Sequence, residues 1–419
     1  METKKQMANN LRKNQKYEQA EAIYKELYES RESRDGYDTA GYLHCLRKQR
    51  KFAEAIRTAD QITPELLEIA WCRNEMIWSY IQGILMDNDT DFESKASAFS
   101  RIMELKPDIT AVKVSLFKLF KEAKKLKRFD FIRENIDLLK PEDLAEQPDK
   151  ANVKSEWSDR ALWYYYKAES MLKCDENIKA LDLIETSADK FPKQKKFFLR
   201  LKAKALDSLG DIEKALSVYE GLCSVPHPDW WLLNEYGAML AGQGSPEKAL
   251  PVLLLSSGLM PKLDMKVLLL QNLGIVYRDL AQYELSFYHL MLARLVREDK
   301  SWSIPDTLSA VMKDVSSLFT APEKHLSIDE LLQICKKEWL KAKPSASADK
   351  RDIRGTVAIS SPDKPFCFIK SGKESYFCYT KDLPDGISNN QKVIFDIVPS
   401  FDKKKQRESS RAVNIRKEQ

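Results

Sequence analysis

The sequence predicts a mainly α fold: a solenoid of helical hairpins followed by a small five-stranded β-barrel. Glycine is scarce, with 13 residues in 419, which favours helix over most of the chain. The tetrapeptide Glu-Lys-Ala-Leu occurs twice within a helical pattern, at 213–216 and at 247–250. After residue 353 the pattern changes to short alternating runs separated by Pro, Gly, Asn and Asp, which predicts strands.

The repeated segments, 195–228 and 230–261, have the same layout. Gly210 and Gly244 lie in the predicted turns, and Ala215 and Ala249 lie in the second helices, with the same spacing in both pairs. A helix-turn-helix with a period of about 34 residues resembles the tetratricopeptide repeat. The resemblance implies that small residues pack the two helices of a unit together. In the first helices these are Ala203, Gly237 and Gly274, each at the same separation from its partner Ala215, Ala249 or Ser286.

The same small position can be followed along the helical part of the chain. Candidates in successive second helices are Ala20, Ala55, Ala96, a degenerate Ile132, Ala180, Ala215, Ala249 and Ser286. We therefore expect about eight hairpins, irregular in 1–150 and regular from 157 to 300. A polar, proline-bearing stretch near residues 140–158 predicts a loop or kink.

Further helices from Pro305 to Lys341 should cap the array, because a terminal repeat must cover an exposed apolar face. The predicted domains are therefore an irregular helical part, 1–150, regular repeats with capping helices, 151–342, and a barrel, 353–419. A flexible linker, 343–352, is expected before the barrel, since its sequence is KPSASADKRD.

Five strands are predicted in the carboxy-terminal module. They lie near Arg354 to Ile359, Pro365 to Ile369, Ser375 to Tyr379, Gln391 to Pro399 and Arg411 to Ile415. Five short strands in this length indicate a small OB-like barrel.

The residues of this module resemble the cold-shock domain, a nucleic-acid-binding family of that class. The carrying motifs are Gly355-Thr356-Val357, then Lys364 to Ile369 (KPFCFI), and then Tyr376 to Tyr379 (YFCY). The later motifs NQKVIF, 390–395, and AVNI, 412–415, follow in the same order. The resemblance covers the whole module and implies binding of single-stranded RNA or DNA, with RNA favoured.

Strand alternation puts Phe366 and Phe368 on one face and Cys367 and Ile369 on the other. The same rule places Phe377 and Tyr379 together on the next strand. Open aromatic faces accept stacked bases of any sequence, and nearby cations hold the phosphates. The predicted nucleic-acid-binding residues are Phe366, Phe368, Phe377 and Tyr379 for the bases, and Lys364, Lys370, Lys373 and Lys381 for the phosphates. The alternative is that these rings fill the barrel.

Two features of the module bear on this interpretation in opposite directions. Between Ile353 and Gln419 there are 13 Lys and Arg against 8 Asp and Glu, so the module holds the whole formal excess of +5 in the chain. That concentration favours attraction to a polyanion, although a solvated basic tail at 403–407 is an alternative. By contrast, the first strand continues as Ala358-Ile359-Ser360-Ser361, where the family has Lys-Trp-Phe-Asn. The aromatic platform is therefore shorter at that end.

The helical part offers a second candidate surface. Two predicted first helices, within 113–128 and 193–204, are rich in Lys and Arg and could hold an acidic peptide or extend a path for nucleic acid. Solvated lysines on amphipathic helices are the alternative, because the helical part as a whole is neutral.

The remaining sequence features indicate a cytoplasmic protein that is not an enzyme. There is no phosphate-binding Gly-rich loop, no nucleophile elbow, no His-Glu-x-x-His, and the four histidines show no ligand spacing, so no catalytic, cofactor or metal site is expected. Seven cysteines without a Cys-x-x-Cys pair predict reduced thiols. No signal peptide or bilayer-spanning run is evident, so no membrane is expected as a partner.

The sequence thus predicts an adaptor whose barrel binds single-stranded nucleic acid and whose repeat groove binds a protein partner. Two alternatives stay open. One is a purely protein-binding scaffold, and the other is a regulatory subunit of a nuclease or defence system, in either case with a barrel that has lost nucleic-acid binding.

Overall fold

The fold was analysed in a computed structural model of the 419-residue chain. The chain divides into two compact units, Met1–Ala215 and Leu216–Gln419. The described residues are 3–30, 34–148, 156–225, 228–259, 262–320, 326–341, 350–359, 364–372, 374–384, 386–402 and 407–418.

Helices account for all regular structure before residue 350 in the described part of the chain. The first unit contains α1 Lys4–Lys13, α2 Tyr17–Glu29, α3 Gly36–Lys48, α4 Phe52–Ala59, α5 Ala70–Tyr80, α6 Phe92–Glu104, α7 Ile109–Lys125, α8 Phe129–Asn135, α9 Asp159–Lys173, α10 Asn177–Ser187 and α11 Lys195–Ser208. Helix α12, Ile212–Cys223, runs from the first unit into the second. The second unit continues with α13 Trp230–Gly242, α14 Pro246–Leu259, α15 Val267–Asp279, α16 Tyr283–Asp299, α17 Asp306–Leu318 and α18 Ile328–Lys341.

Helices α1 to α10 form five consecutive hairpins in the first unit, and α13 to α16 form two in the second unit, followed by α17 and α18. The predicted fold class is therefore confirmed for the helical part. None of the helices in the described residues is both long and apolar enough to cross a bilayer.

The two helices of a hairpin meet through the predicted small residues. Ala203, Gly237 and Gly274 are buried in first helices, and Ala215, Ala249 and Ser286 are buried in second helices. Across one hairpin, the Ser286 hydroxyl donates to the Gly274 carbonyl oxygen at 2.6 Å. A Cβ atom at Gly274 would lie 2.5 Å from Leu290 Cδ2. The Leu290 side chain of α16 therefore fills the space beside Gly274, and only a residue without a side chain fits there in α15.

The third hairpin departs from the expected register. In seven of the eight predicted second helices the predicted small residue is the fourth residue, but α6 begins at Phe92, so its fourth residue is Lys95. Lys95 is 2% exposed, whereas Ala96 is only half-buried. The prediction of Ala96 is wrong by one residue. The Lys95 ammonium is accommodated by Glu122 of α7, whose Oε2 lies 2.9 Å from Nζ.

A left-handed residue precedes seven of the eight predicted second helices. Gly210 and Gly244 have φ of +80° and +68°, as their predicted turn positions require. The other five hairpins use a non-glycine residue two positions before the second helix, at a φ between 56° and 61°: Gln15, Arg50, Lys127, Asp175 and Ala281. The left-handed turn is therefore present in these five hairpins even though their sequences lack the glycine that indicates it.

The predicted interruption lies between α8 and α9. The described residues there form only two single 3₁₀ turns, Ile136–Leu138 and Pro141–Asp143. Trp163 of α9 fixes the start of this segment, because its Nε1 donates to the carbonyl oxygens of Ile136 and Leu139, both at 3.0 Å.

The predicted capping helices are α17 and α18. Leu331, Cys335 and Trp339 of α18 are buried in the core of the second unit. Trp339 Nε1 donates to His289 Nε2 at 3.1 Å, and the Lys266 ammonium lies 4.3 Å from the centre of the Trp339 ring. Helix α18 therefore covers the apolar side of the last hairpin, as a terminal element must.

Five strands follow, as predicted: β1 Lys350–Ala358, β2 Phe366–Ser371, β3 Glu374–Tyr379, β4 Lys392–Asp402 and β5 Arg407–Lys417. They form a closed barrel in the order β1-β2-β3-β5-β4. Strand β1 begins before its predicted start at Arg354, so its first residues fall within the segment predicted as a linker. The rest of that segment, 343–349, lies outside the described residues.

Two register shifts allow the strands to close the barrel. One falls in β1 between Lys350 and Ile353, and the other falls in β4 between Ile394 and Asp396. The buried Asp396 carboxylate connects the two irregular regions, since it accepts from the Asp352 backbone N–H at 3.0 Å and from Asn414 Nδ2 at 2.9 Å. Bulges of this kind bend strands strongly enough to close a small barrel.

We expect Gly274→Val to lower the free energy of unfolding of the helical array by about 1–3 kcal/mol, because the new side chain overlaps Leu290 in a filled core. Gly258→Ala is the matched control. No atom lies within 4 Å of a Cβ at Gly258, so this change should be neutral or stabilising. Thermal unfolding followed by circular dichroism measures both, and equal midpoints for the two variants would contradict the packing described.

Candidate nucleic-acid interface

The strand β2 separates aromatic from core side chains by simple alternation. Cys367 and Ile369 are 1% and 0% exposed and belong to the barrel core. Phe366 and Phe368 are half-buried and lie on the outer face. The alternative in which these rings fill the barrel is therefore not the arrangement observed, since the interior is occupied by the intervening residues.

The strand β3 repeats this separation beside β2. Tyr376 and Cys378 point into the core, whereas Phe377 is half-buried and Tyr379 is 40% exposed. The antiparallel register pairs Phe366 with Tyr379 and Phe368 with Phe377. Paired residues of adjacent strands share a face of the sheet, so all four predicted rings lie on one outer surface, here called the aromatic face.

The rings of the aromatic face contact one another. Phe366 is stacked with Phe377 at a centroid distance of 5.6 Å, and Tyr379 meets Phe377 edge-on at 5.1 Å. Phe368 lies edge-on to Phe366 and to Phe377, at 6.1 Å from each. These contacts hold the ring orientations while leaving part of each ring accessible.

Cations border both ends of the aromatic face. At the end formed by the partners Phe366 and Tyr379, the Lys364 ammonium lies 5.8 Å from the centre of the Phe366 ring, and the Lys381 ammonium lies 5.6 Å from the centre of the Tyr379 ring. Lys370 is exposed and follows Phe368 on the same side of β2. The fourth predicted lysine, Lys373, lies outside the described residues.

A fifth basic residue, Arg411, adjoins the aromatic face from β5. The strands β3 and β5 run parallel, and Phe377 and Arg411 are partners in their register. Arg411 is not among the predicted residues, because a parallel pairing between strands that are far apart in the chain leaves no local sequence pattern. The available signal is the position of Arg411 directly before Ala412, a core residue, which puts Arg411 on the outer side of β5.

The opposite edge, on β1, offers neither rings nor charges beside Phe368. Ala358 is the partner of Phe368 in the register, and Ile359 packs against the barrel core. Strand β1 also packs closely against β2 at Gly355, because a Cβ atom there would lie 2.8 Å from the Lys370 carbonyl oxygen. The first strand therefore supports the aromatic face without extending it.

A pair of thiols lies directly beneath the aromatic face. Cys367 and Cys378 are cross-strand partners with their sulfur atoms 3.0 Å apart. Both are free and buried. Burial, with the neighbouring Cys367 thiol as the next cause, raises the pKa of Cys378 well above its ordinary value, so the Cys378 thiol serves as a small apolar core group at neutral pH.

The two basic helical segments are arranged differently from the barrel. In α7 and the turn after it, Lys113 pairs with Asp159 at 2.7 Å, Lys124 with Glu169 at 2.6 Å and Arg128 with Glu93 at 2.5 Å. In α11, Lys195 and Lys202 pair with Asp189 and Glu185, both at 2.7 Å. Much of the positive charge in these helices is therefore already neutralised by neighbouring acids.

The described residues contain no cluster of His, Cys, Asp or Glu side chains that could hold a metal ion. The arrangement on the barrel is instead that of a binding surface: planar rings at the centre and basic side chains around them.

Comparison with known proteins finds likeness only to solved structures. No protein-family model matches the chain, and no curated protein matches it. The chain is similar to a chain in the structure of the APC/C hetero-tetramer Cut9–Hcn1, at 12% identity over 81% of this chain and 86% of that chain, with a TM-score of 0.28. It is also similar to the P58(IPK) TPR domain, at 12% identity over 75% of this chain and 97% of that one, with a TM-score of 0.27.

A third likeness is to the structure of Naa15/Naa10 bound to HypK-THB, at 13% identity, with 80% of this chain and 52% of that chain covered and a TM-score of 0.35. Likenesses at this level carry nothing about ligand, activity or partner.

The geometry predicts different stability costs for an outer ring and a core ring. Phe395→Ala should destabilise the barrel by about 3–5 kcal/mol, because Phe395 is fully buried. Phe368→Ala should cost about 1 kcal/mol, the value of its ring contacts. Hydrogen exchange of barrel peptides in the full-length chain measures both losses of protection. Equal losses of protection in the two variants would indicate that Phe368 is a core residue of the barrel.

Proposed function

We propose that the barrel binds single-stranded nucleic acid, RNA in preference to DNA, through the aromatic face, and that the helical hairpins bind a protein partner. The protein is then a non-enzymatic adaptor. One observation carries the first part: four rings lie together outside the core with basic side chains around them. Base stacking on such rings contributes about 1–3 kcal/mol per base and tolerates any sequence.

The state of the surrounding charges supports this proposal. Among the acidic side chains that the structure describes, which exclude those of 401–409, none pairs with Lys364, Lys370, Lys381 or Arg411 within ion-pair distance. Elsewhere in the same barrel, Arg354 pairs with Glu418 at 3.2 Å, and Arg416 pairs with Asp352. Cations without an acidic partner remain available for phosphates, whose counterions they displace on binding.

The resemblance to the cold-shock domain supports the same surface. In OB-type barrels the face of the second and third strands binds oligonucleotides, and the four rings here stand on β2 and β3. The preference for RNA rests on this resemblance alone.

The proposal of a protein partner rests on the hairpin architecture. Stacked helical repeats form extended surfaces that families of this kind use for binding peptides or proteins. The paired lysines of α7 and α11 favour this use over a second path for nucleic acid. The alternative function, a protein-binding scaffold or regulatory subunit whose barrel does not bind nucleic acid, is favoured by one observation, the lack of rings at sequence positions Ile359 and Ser360.

We expect a labelled single-stranded RNA of about 12 nucleotides to bind the full-length chain, and the double variant Phe366→Ala/Phe368→Ala to bind at least tenfold more weakly, since two stacking rings are lost. Fluorescence anisotropy measures both affinities. The matched control is Tyr37→Ala, which removes a ring that is 59% exposed on α3 and should leave affinity unchanged. Equal affinity of the double variant and the unaltered chain would contradict the aromatic face as the site, and no binding by the unaltered chain would leave the scaffold function.

The same titration with DNA of matching sequence tests the preference for RNA. We expect weaker binding of DNA, because the 2′-hydroxyl is the group by which a protein distinguishes the two. Equal affinities would remove the preference and keep the aromatic face as the site.

A further inference from the structure

The junction of β3 and β5 places a guanidinium group next to the aromatic face. Phe377 and Arg411 are register partners across two parallel strands, and neighbouring strands lie about 4.8 Å apart. Ala412, the next residue on β5, is 1% exposed and belongs to the core. Arg411 therefore stands on the outer side of the barrel, in the same row as Phe377.

The charge of Arg411 is not used within the described structure. Among the side chains that the structure describes, which exclude those of 401–409, no carboxylate lies within ion-pair distance of Arg411, whereas Arg416, further along the same strand, pairs with Asp352. Arg411 is also only half-buried. A half-buried guanidinium beside an aromatic ring, without an acid, is arranged for an anionic group that comes from outside the chain.

The two sides of the β2–β3 hairpin differ in what they can offer a nucleic-acid strand. On the β1 side, the neighbour of Phe368 is Ala358, which has neither a ring nor a charge. On the β5 side, the neighbour of Phe377 is Arg411. A strand whose base stacks on Phe377 has its phosphates at the edge of the ring, and a guanidinium there can make two parallel hydrogen bonds to one phosphate.

We infer that the nucleic-acid site extends across the β3–β5 junction and that Arg411 binds the phosphate beside the base stacked on Phe377. This inference rests on the proposed function. It adds strand β5 to the site, extends the site away from β1, and assigns a role to Arg411, which is not among the predicted residues.

The test is Arg411→Gln in the full-length chain, titrated with labelled oligo(U) and oligo(A) at several salt concentrations. Loss of one phosphate contact should weaken binding of both oligonucleotides equally, by about eightfold at about 50 mM salt, and reduce the slope of log K against log salt by about 0.7. Lys392→Gln is the matched control. It removes one exposed charge from β4, a strand that does not border the aromatic face, and should change neither quantity appreciably.

A second variant separates charge from folding. Arg411→Lys keeps the positive charge, so it should retain the salt slope and most of the affinity, and hydrogen exchange of the β2 and β3 peptides should be the same in all variants. Three results would overturn the inference: Arg411→Gln behaving like Lys392→Gln, a loss confined to one oligonucleotide, or a salt slope reduced in Arg411→Lys as well.

The failure of the proposed function gives a different result. In that case the unaltered chain binds neither oligonucleotide, and the inference falls with it. If the unaltered chain binds and Phe366→Ala/Phe368→Ala does not, the aromatic face stands whatever the outcome for Arg411.

Discussion

Close approach of two helices at one small residue is the constraint on which the helical hairpins depend. In six of the eight second helices the fourth residue is a fully buried Ala or Ser, and in α16 its contact with α15 is a hydrogen bond from Ser286 to the Gly274 backbone. At this contact there is room for a large side chain from only one of the two helices. The left-handed residue before seven of the second helices then returns the chain so that this contact can form.

In the barrel, alternation along two strands plays the corresponding part. Cys367 and Cys378 fill the interior, so the residues on either side of them are turned outward. An outer surface with four rings is costly in water unless those rings contact one another, and all four do. The remaining free-energy cost comes from the part of each ring that stays exposed to water. The neighbouring cations are also exposed, and no acidic side chain that the structure describes pairs with them.

Local patterns predicted the hairpins, the five strands and the shared face of Phe366, Phe368, Phe377 and Tyr379, because each depends on spacings of a few residues. The errors and omissions involve partners that are distant in the sequence. Lys95 fits a small position only because Glu122, on the next helix, lies opposite. The pairing of Lys113 with Asp159 and the position of Arg411 beside the aromatic face depend in the same way on which elements become neighbours, which no window of sequence contains.

The buried pair of Lys95 and Glu122 limits the order in which this repeat can change during evolution. Loss of Glu122 first would leave an ammonium group that is 2% exposed without its carboxylate, a change that costs about 3–5 kcal/mol in buried pairs. Loss of Lys95 first would leave Glu122 with a second partner, Lys118, at 3.2 Å. A change toward a regular hairpin is therefore less costly when it begins at position 95, and related chains that lack Glu122 should also lack Lys95.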